Sequence, residues 1–157
     1  MTSPRLPAID PRDVPASRGS NYPDPFAARV AGRVKRRIGE ALGLTNFGVN
    51  LTMLEPGAQS SLRHWHARQD EFIYVLEGEL VLLTDAGEQR LSQGMAAGFP
   101  AGRPDGHCLV NRSDRPAVYL EVGDRMPGDA ASYPDDDIAA QAKPAGWTFV
   151  NRAGVPY

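Results

Sequence analysis

Short apolar segments separated by turn residues run through the middle of this chain and constrain its fold more than any other feature. Segment 47–54 stops at a Glu-Pro-Gly turn, and segments 71–76 and 80–84 flank Gly78 in the pattern of a tight hairpin. Glycine (16) and proline (14) make up about a fifth of the 157 residues, a content that long helices do not tolerate. The sequence therefore predicts an all-β domain, either a sandwich or a barrel.

Three regions follow from this pattern. Residues 1–25 contain six prolines and little hydrophobic periodicity, which predicts an extended arm that is either disordered or lies over a neighbouring subunit. Residues 26–123 form the predicted β domain, and residues 124–157 form a turn-rich tail that we expect to pack on it. The terminal segments are therefore expected to be short helices or irregular structure around one barrel.

Local structure is less uniform at the two ends of the β domain. Residues 26–38 have apolar positions at helical spacing, but Gly32 weakens a helix there, and a strand over 33–38 is the alternative. In the tail, an acidic run is predicted to cap a short helix over 138–142. Residues 147–150 are predicted to return as a final edge strand.

Charge and composition exclude several classes of function. The formal net charge of -2 and the pI near 5.9 give no general attraction to nucleic acid or to an anionic membrane. No apolar run approaches the roughly 20 residues of a membrane span, and the N-terminus has no apolar core typical of a secretory signal. The single cysteine, Cys108, excludes an internal disulfide framework. We therefore expect a cytoplasmic protein without nucleic-acid or membrane partners.

The chain has only three histidines, and all three can belong to one metal site. His64 and His66 are two residues apart, so on a strand they face the same side. Glu71 is seven residues from His64 and would face away on one continuous strand, but the polar segment 67–70 predicts a turn that resets this alternation. His107 has to come from a distant strand.

Three imidazoles and one carboxylate predict one divalent transition metal. This donor set suits zinc, manganese, iron, nickel or copper, and it suits neither an all-oxygen calcium site nor a thiolate cluster. Four ligands with one negative charge leave a divalent ion with residual charge and open positions. We therefore expect His64, His66, Glu71 and His107 to bind a metal that also contacts water or substrate.

The spacing of these residues resembles the two motifs of the cupin superfamily. The first motif runs from Gly57 through His64-Trp65-His66 and Glu71 to Gly78, and the second runs from Gly94 through Pro100-Ala101-Gly102 and His107 to Asn111. Two loops differ from the family pattern: the segment before His64 is one residue longer, and the segment before His107 is two residues longer. The resemblance extends over residues 45–123.

The resemblance implies a double-stranded β-helix, also called a jelly-roll barrel, with one metal at its centre. It assigns the four ligands to His64, His66, Glu71 and His107, and it makes Gly78 the hairpin glycine and Asn111 a structural residue. It also implies a homodimer. Within the superfamily, the chain resembles small bacterial members described as sugar-phosphate isomerases or as similar to mannose-6-phosphate isomerase.

Three functions remain open from the sequence. The first is an isomerase that uses the metal to polarise the carbonyl of a small polar substrate, such as a sugar phosphate. The second is an iron-dependent dioxygenase, and the third is a non-catalytic protein that binds a metal or a small ligand. A phosphate group would require arginine or lysine, and four arginines lie near the motifs: Arg63, Arg103, Arg112 and Arg125.

Overall fold

The computed structural model describes residues 7–157, and over this range it confirms the all-β prediction. A single α-helix, α1 (Ile38–Ala41), and two short 3-10 helices accompany thirteen strands among these residues. The strands are β1 (Ala16–Arg18), β2 (Arg33–Arg36), β3 (Phe47–Leu54), β4 (Trp65–His66), β5 (Glu71–Glu77), β6 (Glu79–Thr84), β7 (Gly87–Ser92), β8 (Ala96–Phe99), β9 (Cys108–Val110), β10 (Ala117–Asp124), β11 (Ala130–Ser132), β12 (Ala139–Lys143) and β13 (Gly146–Val150). No helix within 7–157 is long and apolar enough to cross a membrane.

Two antiparallel sheets form the jelly-roll. The first has the strand order β1-β2-β3-β10-β5-β8, and the second has the order β7-β6-β9. Both sheets contribute side chains to one apolar core, which includes Val75 and Tyr119 from the first sheet and Leu80, Leu91 and Leu109 from the second. Burial of these side chains supplies the main driving force that closes the two sheets on each other.

A third sheet joins the tail to the barrel. Its strand order is β13-β12-β11-β4, so the last three strands continue from the short strand that carries His66. A second apolar cluster lies beneath this sheet and includes Leu62, Tyr133 and Ile138, with Trp147 and Phe149 packed against it. The strand predicted at 147–150 is confirmed as part of β13.

The prediction of a helix over 138–142 is wrong, because β12 occupies this segment. Its residues pair with β11 on one side and with β13 on the other, and Ala140 is buried in the second cluster. The acidic residue Asp137 accepts a hydrogen bond from the backbone N–H of Arg152 instead of capping a helix. Long-range pairing therefore overrides the local capping signal in this segment.

The prediction of a helix over 26–38 is also wrong. The alternative prediction, a strand over 33–38, is confirmed as β2. Within 26–38, only the 3-10 turn Ala27–Val30 precedes β2. The strand ends before Ile38, where α1 begins. At Gly32 the backbone passes close to Ala58, since a Cβ at this position would lie 2.7 Å from the Ala58 Cβ. This contact fits only glycine and aligns the following residues with β3.

Residues 1–6 of the predicted arm lie outside the described residues. The rest of the arm departs from the two predicted states, because Ala16–Arg18 forms β1 and pairs with β2 of the same chain. Tyr22 packs against the second apolar cluster, at an edge-on angle to Tyr133. The segment is therefore ordered against its own barrel.

Candidate metal centre

Backbone pairing brings the three histidines together from distant parts of the chain. His64 and His107 form an isolated bridge with hydrogen bonds in both directions, and the two N···O distances are 3.1 and 2.8 Å. His66 lies on β4, two residues after His64, and its side chain faces the same side as that of His64. Glu71 is the first residue of β5. Residues 67–70 lie between these strands, as the alternation argument requires.

One carboxylate oxygen lies at the centre of this group. Glu71 Oε2 is 2.9 Å from His107 Nε2, 3.5 Å from His66 Nε2 and 3.6 Å from His64 Nε2. The ligand atoms of His64, His66 and Glu71 lie within 4.8 Å of one another, and these three residues form a cluster that is able to hold a metal ion. The structure thus brings all four predicted site residues together.

The donor set fits a metal ion in both distance and chemistry. Two ligand atoms bound to one ion at about 2.1 Å and at 90 to 110 degrees are roughly 3 to 3.5 Å apart. The separations of Glu71 Oε2 from the three imidazole Nε2 atoms, 2.9, 3.5 and 3.6 Å, agree with this spacing. Glu71 Oε2 is buried and has no hydrogen-bond partner of acceptable geometry, although buried carboxylate oxygens are normally satisfied.

The charge states of Glu71 and His107 also suit a metal. Burial opposes the ionised form of Glu71, but the neighbouring imidazoles, with His107 first, outweigh it and hold its pKa well below the usual value. Burial lowers the pKa of His107, which favours the neutral imidazole. Burial also disfavours protonated His64, but contact with Glu71 outweighs this and raises its pKa. An ionised carboxylate and a neutral imidazole are the forms that bind metals.

Several neighbours hold the imidazole rings in place. The Phe99 ring stacks on His107 with centroids 3.6 Å apart, and Tyr133 stacks on His64 at 5.7 Å. His64 Nδ1 lies 2.9 Å from the carbonyl oxygen of Leu62. His66 Nδ1 lies 2.6 Å from Asp129 Oδ2, in the tail. Asp129 could not be identified from the sequence, because it is 63 residues from His66 and belongs to no motif.

A cavity of about 260 Å³ opens above the cluster. His66, Glu71 and His107 form part of its wall. Its other walls come mainly from β6 to β8 and the loop after β8, and they include polar groups from Thr84, Gln89, Arg103 and Asp105. This volume and mixture of polar and apolar groups are suited to a small polar molecule that reaches the cluster.

Of the four arginines considered for phosphate binding, Arg103 alone lines this cavity. Arg63 points away and binds Asp85, Asp135 and the carbonyl oxygen of Gly106, so it fixes the loop before His107. Arg112 forms two hydrogen bonds with Glu88 at the surface, and Arg125 lies 3.4 Å from Glu40.

The motif glycine and asparagine have the structural roles that the sequence predicts. Gly78 has a φ of 76° in the turn between β5 and β6, where a Cβ would lie 2.9 Å from the carbonyl oxygen of Pro116. Asn111 is buried, and its Nδ2 donates to the carbonyl oxygens of Leu54 and Arg115. Gly102 donates its backbone N–H to the carbonyl oxygen of His66, which connects the loop of the second motif to the first.

Comparison with known proteins agrees with this fold. The Cupin_2 family model, a cupin domain, matches residues 50–123. The structure of a cupin-superfamily sugar phosphate isomerase from Silicibacter pomeroyi is 47% identical, covers 96% of each chain and superposes with a TM-score of 0.92. No curated protein sequence matches the chain.

Two further solved structures are less similar. A proposed sugar phosphate isomerase from Acidithiobacillus ferrooxidans is 29% identical over 80% of each chain, with a TM-score of 0.72. A polyketide cyclase from Streptomyces resistomycificus is 22% identical, covers 76% of this chain and 80% of its own, and has a TM-score of 0.64. This last similarity concerns the fold alone.

The double-stranded β-helix and the histidine-carboxylate cluster define a cupin. With the identity to the Silicibacter pomeroyi protein over nearly the whole length, the chain belongs to the cupin superfamily.

Proposed function

We propose that the protein binds one divalent transition metal through His64, His66, Glu71 and His107. The convergence of three imidazole Nε2 atoms on the buried, unpartnered Glu71 Oε2 carries this proposal. Zinc, manganese, iron and nickel all accept this donor set, and metal content measured in protein from its own host would identify the ion.

The metal proposal is tested by stoichiometry. We expect about one zinc or manganese ion per wild-type chain by elemental analysis after reconstitution and desalting. His66→Ala and His107→Ala should each lose the bound ion and keep their β-sheet circular dichroism. Metal content near one per chain in both variants would overturn the ligand assignment.

The proposed reaction is the isomerisation of a sugar phosphate between its aldose and ketose forms. The support is the 47% identity to a protein described as a sugar phosphate isomerase, together with a polar cavity above the proposed metal. A divalent ion at the site would polarise the substrate carbonyl and stabilise the enediolate.

Two further side chains in the cavity suit this reaction. Arg103 is the arginine in position to bind the phosphate group, and Asp105 is a cavity carboxylate outside the ligand cluster. The proposed role of Asp105 is to remove the proton from the carbon beside the carbonyl and return it to the former carbonyl carbon. The proton of the adjacent hydroxyl group moves to the former carbonyl oxygen, so that the product is an isomer of the substrate. The phenol of Tyr74 is excluded from this role, because its side chain is 39% exposed on the outer side of β5.

The reaction is tested by nuclear magnetic resonance in deuterium oxide. Metal-loaded protein is incubated with a panel of aldose and ketose phosphates, and we expect interconversion with deuterium incorporated beside the carbonyl. His107→Ala serves as the control for catalysis by free metal. A protein that holds one ion per chain and converts no member of the panel would contradict the isomerase proposal. Oxygen uptake by iron-loaded protein with small thiols, diketones or phenols would instead support the dioxygenase alternative.

We also propose a homodimer formed through the outer sheet face. The apolar side chains of this face come from β2, β3, β5 and β10: Val34, Val49, Leu51, Met53, Phe72, Tyr74, Val118, Leu120 and Val122. All nine are half-buried or exposed. On the opposite side of this sheet, β3, β5 and β10 contribute Leu54, Val75 and Tyr119 to the core, so the sheet carries apolar side chains on both faces, which is typical of sheets covered on both faces. A cytoplasmic location stays a prediction.

A further inference from the structure

Asp129 makes two hydrogen bonds at the proposed metal centre, and its side chain is fully buried. Its Oδ2 lies 2.6 Å from His66 Nδ1, and its Oδ1 accepts the backbone N–H of Arg68 at 2.7 Å. Both partners belong to the segment that connects the first two predicted ligands to Glu71. Asp129 itself lies in the tail, outside the residues that match the cupin family model.

Backbone contacts on both sides hold Asp129 in this position. Its carbonyl oxygen accepts the N–H of Ala142 at 2.9 Å, and the next residue, Ala130, accepts the N–H of Ala67 at 2.8 Å. Ala131 pairs directly with His66 in the ladder between β11 and β4. The carboxylate therefore has little freedom to move away from the His66 ring.

We infer that Asp129 is a positioning residue that selects the tautomer of His66 in which Nε2 is free to bind the metal. Each imidazole nitrogen of a neutral histidine is either a donor or an acceptor. An ionised carboxylate only accepts, so it holds the proton on Nδ1 and leaves the lone pair of Nε2 directed toward Glu71. This inference rests on the proposed metal centre.

The two hydrogen bonds of Asp129 distinguish this role from simple packing. In Asp129→Asn, the single amide oxygen must accept from Arg68, because a backbone N–H cannot accept a hydrogen bond. The amide NH₂ group then faces His66 Nδ1 and favours the tautomer with the proton on Nε2. Asparagine has almost the same shape as aspartate, so it preserves packing but reverses the tautomer, whereas alanine removes packing but leaves both tautomers available.

The experiment compares Asp129→Asn and Asp129→Ala in zinc affinity, thermal stability and histidine tautomer. We expect Asp129→Asn to weaken zinc binding by about 10-fold to 100-fold, as for other outer partners of metal-bound histidines. Asp129→Ala should weaken zinc binding less but lower the melting temperature more. In metal-free protein, ¹⁵N spectra of the imidazoles should show the His66 proton on Nδ1 in the wild type and on Nε2 in Asp129→Asn.

Asp137→Asn is the matched control, because Asp137 is a tail carboxylate that accepts the backbone N–H of Arg152 and does not contact a histidine. It should leave zinc affinity and the His66 tautomer unchanged. Wild-type affinity in Asp129→Asn, or a greater loss of affinity in Asp129→Ala, would overturn the inference. Absence of zinc binding by the wild type would instead contradict the proposed metal centre, while the tautomer measurement would still test the role of Asp129.

Discussion

At the residue scale, the relative positions of His64, His66 and Glu71 follow from their neighbours in sequence, but the group that orients His66 does not. His64 and His66 are two apart on an extended segment, and the polar residues 67–70 bring Glu71 back to the same side. These facts are local and could be predicted. Asp129 reaches His66 only because the tail folds back beside β4, and no spacing rule connects positions 63 residues apart.

Glu71→Gln tests the prediction that Glu71 is the fourth metal ligand, which depends on the turn at residues 67–70. The substitution keeps the shape of the side chain but removes the only negative charge of the proposed ligand set. We expect zinc to be released to a chelator at least about ten times faster, since even outer partners contribute tenfold or more to affinity. Stopped-flow absorbance with a chromogenic chelator measures the rate.

Asp70→Asn is the control for Glu71→Gln. Asp70 is exposed and accepts the backbone N–H of Ala101 through Oδ1, so it is not expected to contribute to zinc retention. Unchanged release in Glu71→Gln together with faster release in Asp70→Asn would move the carboxylate ligand to Asp70.

Arg103→Gln tests how the cavity recognises a phosphate group. We expect KM for a sugar phosphate substrate to rise by about 10-fold to 100-fold, the effect of a lost hydrogen bond to a charged group. The kcat should change little, because Arg103 is proposed to bind the phosphate and not the reacting carbons. Steady-state kinetics compares Arg103→Gln with the control variant Arg112→Gln. Arg112 binds Glu88 outside the cavity. An equal rise of KM in both variants would exclude a specific role for Arg103.

At the element scale, strands bounded by clear turn signals were predictable and segments governed by distant pairing were not. The strand at 47–54 has the predicted bounds, because its alternation of side chains and its Glu-Pro-Gly turn are both local features. Local spacing predicts either a helix over 26–38 or a strand over 33–38, and the acidic run predicts a helix over 138–142. Residues 33–36 and 139–143 form strands instead, because β3 pairs with the first segment and β11 and β13 pair with the second.

The turn between β5 and β6 gives a quantitative test of a glycine in a positive-φ conformation. Gly78→Ala places a Cβ 2.9 Å from the carbonyl oxygen of Pro116 at a φ of 76°. Left-handed backbone costs about 1 to 2 kcal/mol for a residue other than glycine, and the steric conflict adds to it. We expect the free energy of unfolding in urea to fall by at least about 2 kcal/mol.

Gly57→Ala separates the two contributions. Gly57 has a similar φ of 80°, but a Cβ there meets no atom within 4 Å, so only the backbone cost applies. Its loss of stability should be clearly smaller than that of Gly78→Ala. Equal losses in the two variants would show that the contact with Pro116 relaxes without cost.

At the scale of the whole molecule, the fold of the barrel could be predicted from the sequence, but the placement of the tail could not. The barrel could be predicted because the family motifs fix the order of its strands around the histidines. The placement of the tail could not be predicted, because it depends on a sheet that includes the two-residue strand β4. It also depends on the side chain of Tyr22, in the N-terminal segment, which packs against Tyr133 and Phe149. The outer sheet face is a further consequence of the assembled fold, since its apolar side chains come from four strands.

Tyr74→Glu tests the proposed dimer at the outer sheet face. Tyr74 lies next to Leu120 across the ladder between β5 and β10 and is 39% exposed, so a change of its side chain affects the core little. A twofold axis through this face would bring two introduced carboxylates close together in an apolar surrounding. Because juxtaposed like charges cost several kcal/mol, we expect the dimer dissociation constant to rise by at least about a hundredfold.

Sedimentation equilibrium measures this constant, and Val155→Glu is the control. Val155 is 58% exposed near the C-terminus and lies outside the outer sheet face, so the same change of charge there should leave the dimer intact. Dissociation by Tyr74→Glu alone would assign the contact to this sheet. A wild-type protein that stays monomeric at high concentration would contradict the dimer, and a stable Tyr74→Glu dimer would place its interface elsewhere. Either result would require another explanation for the apolar side chains of the outer sheet face, because monomers rarely leave a large contiguous apolar patch in contact with water.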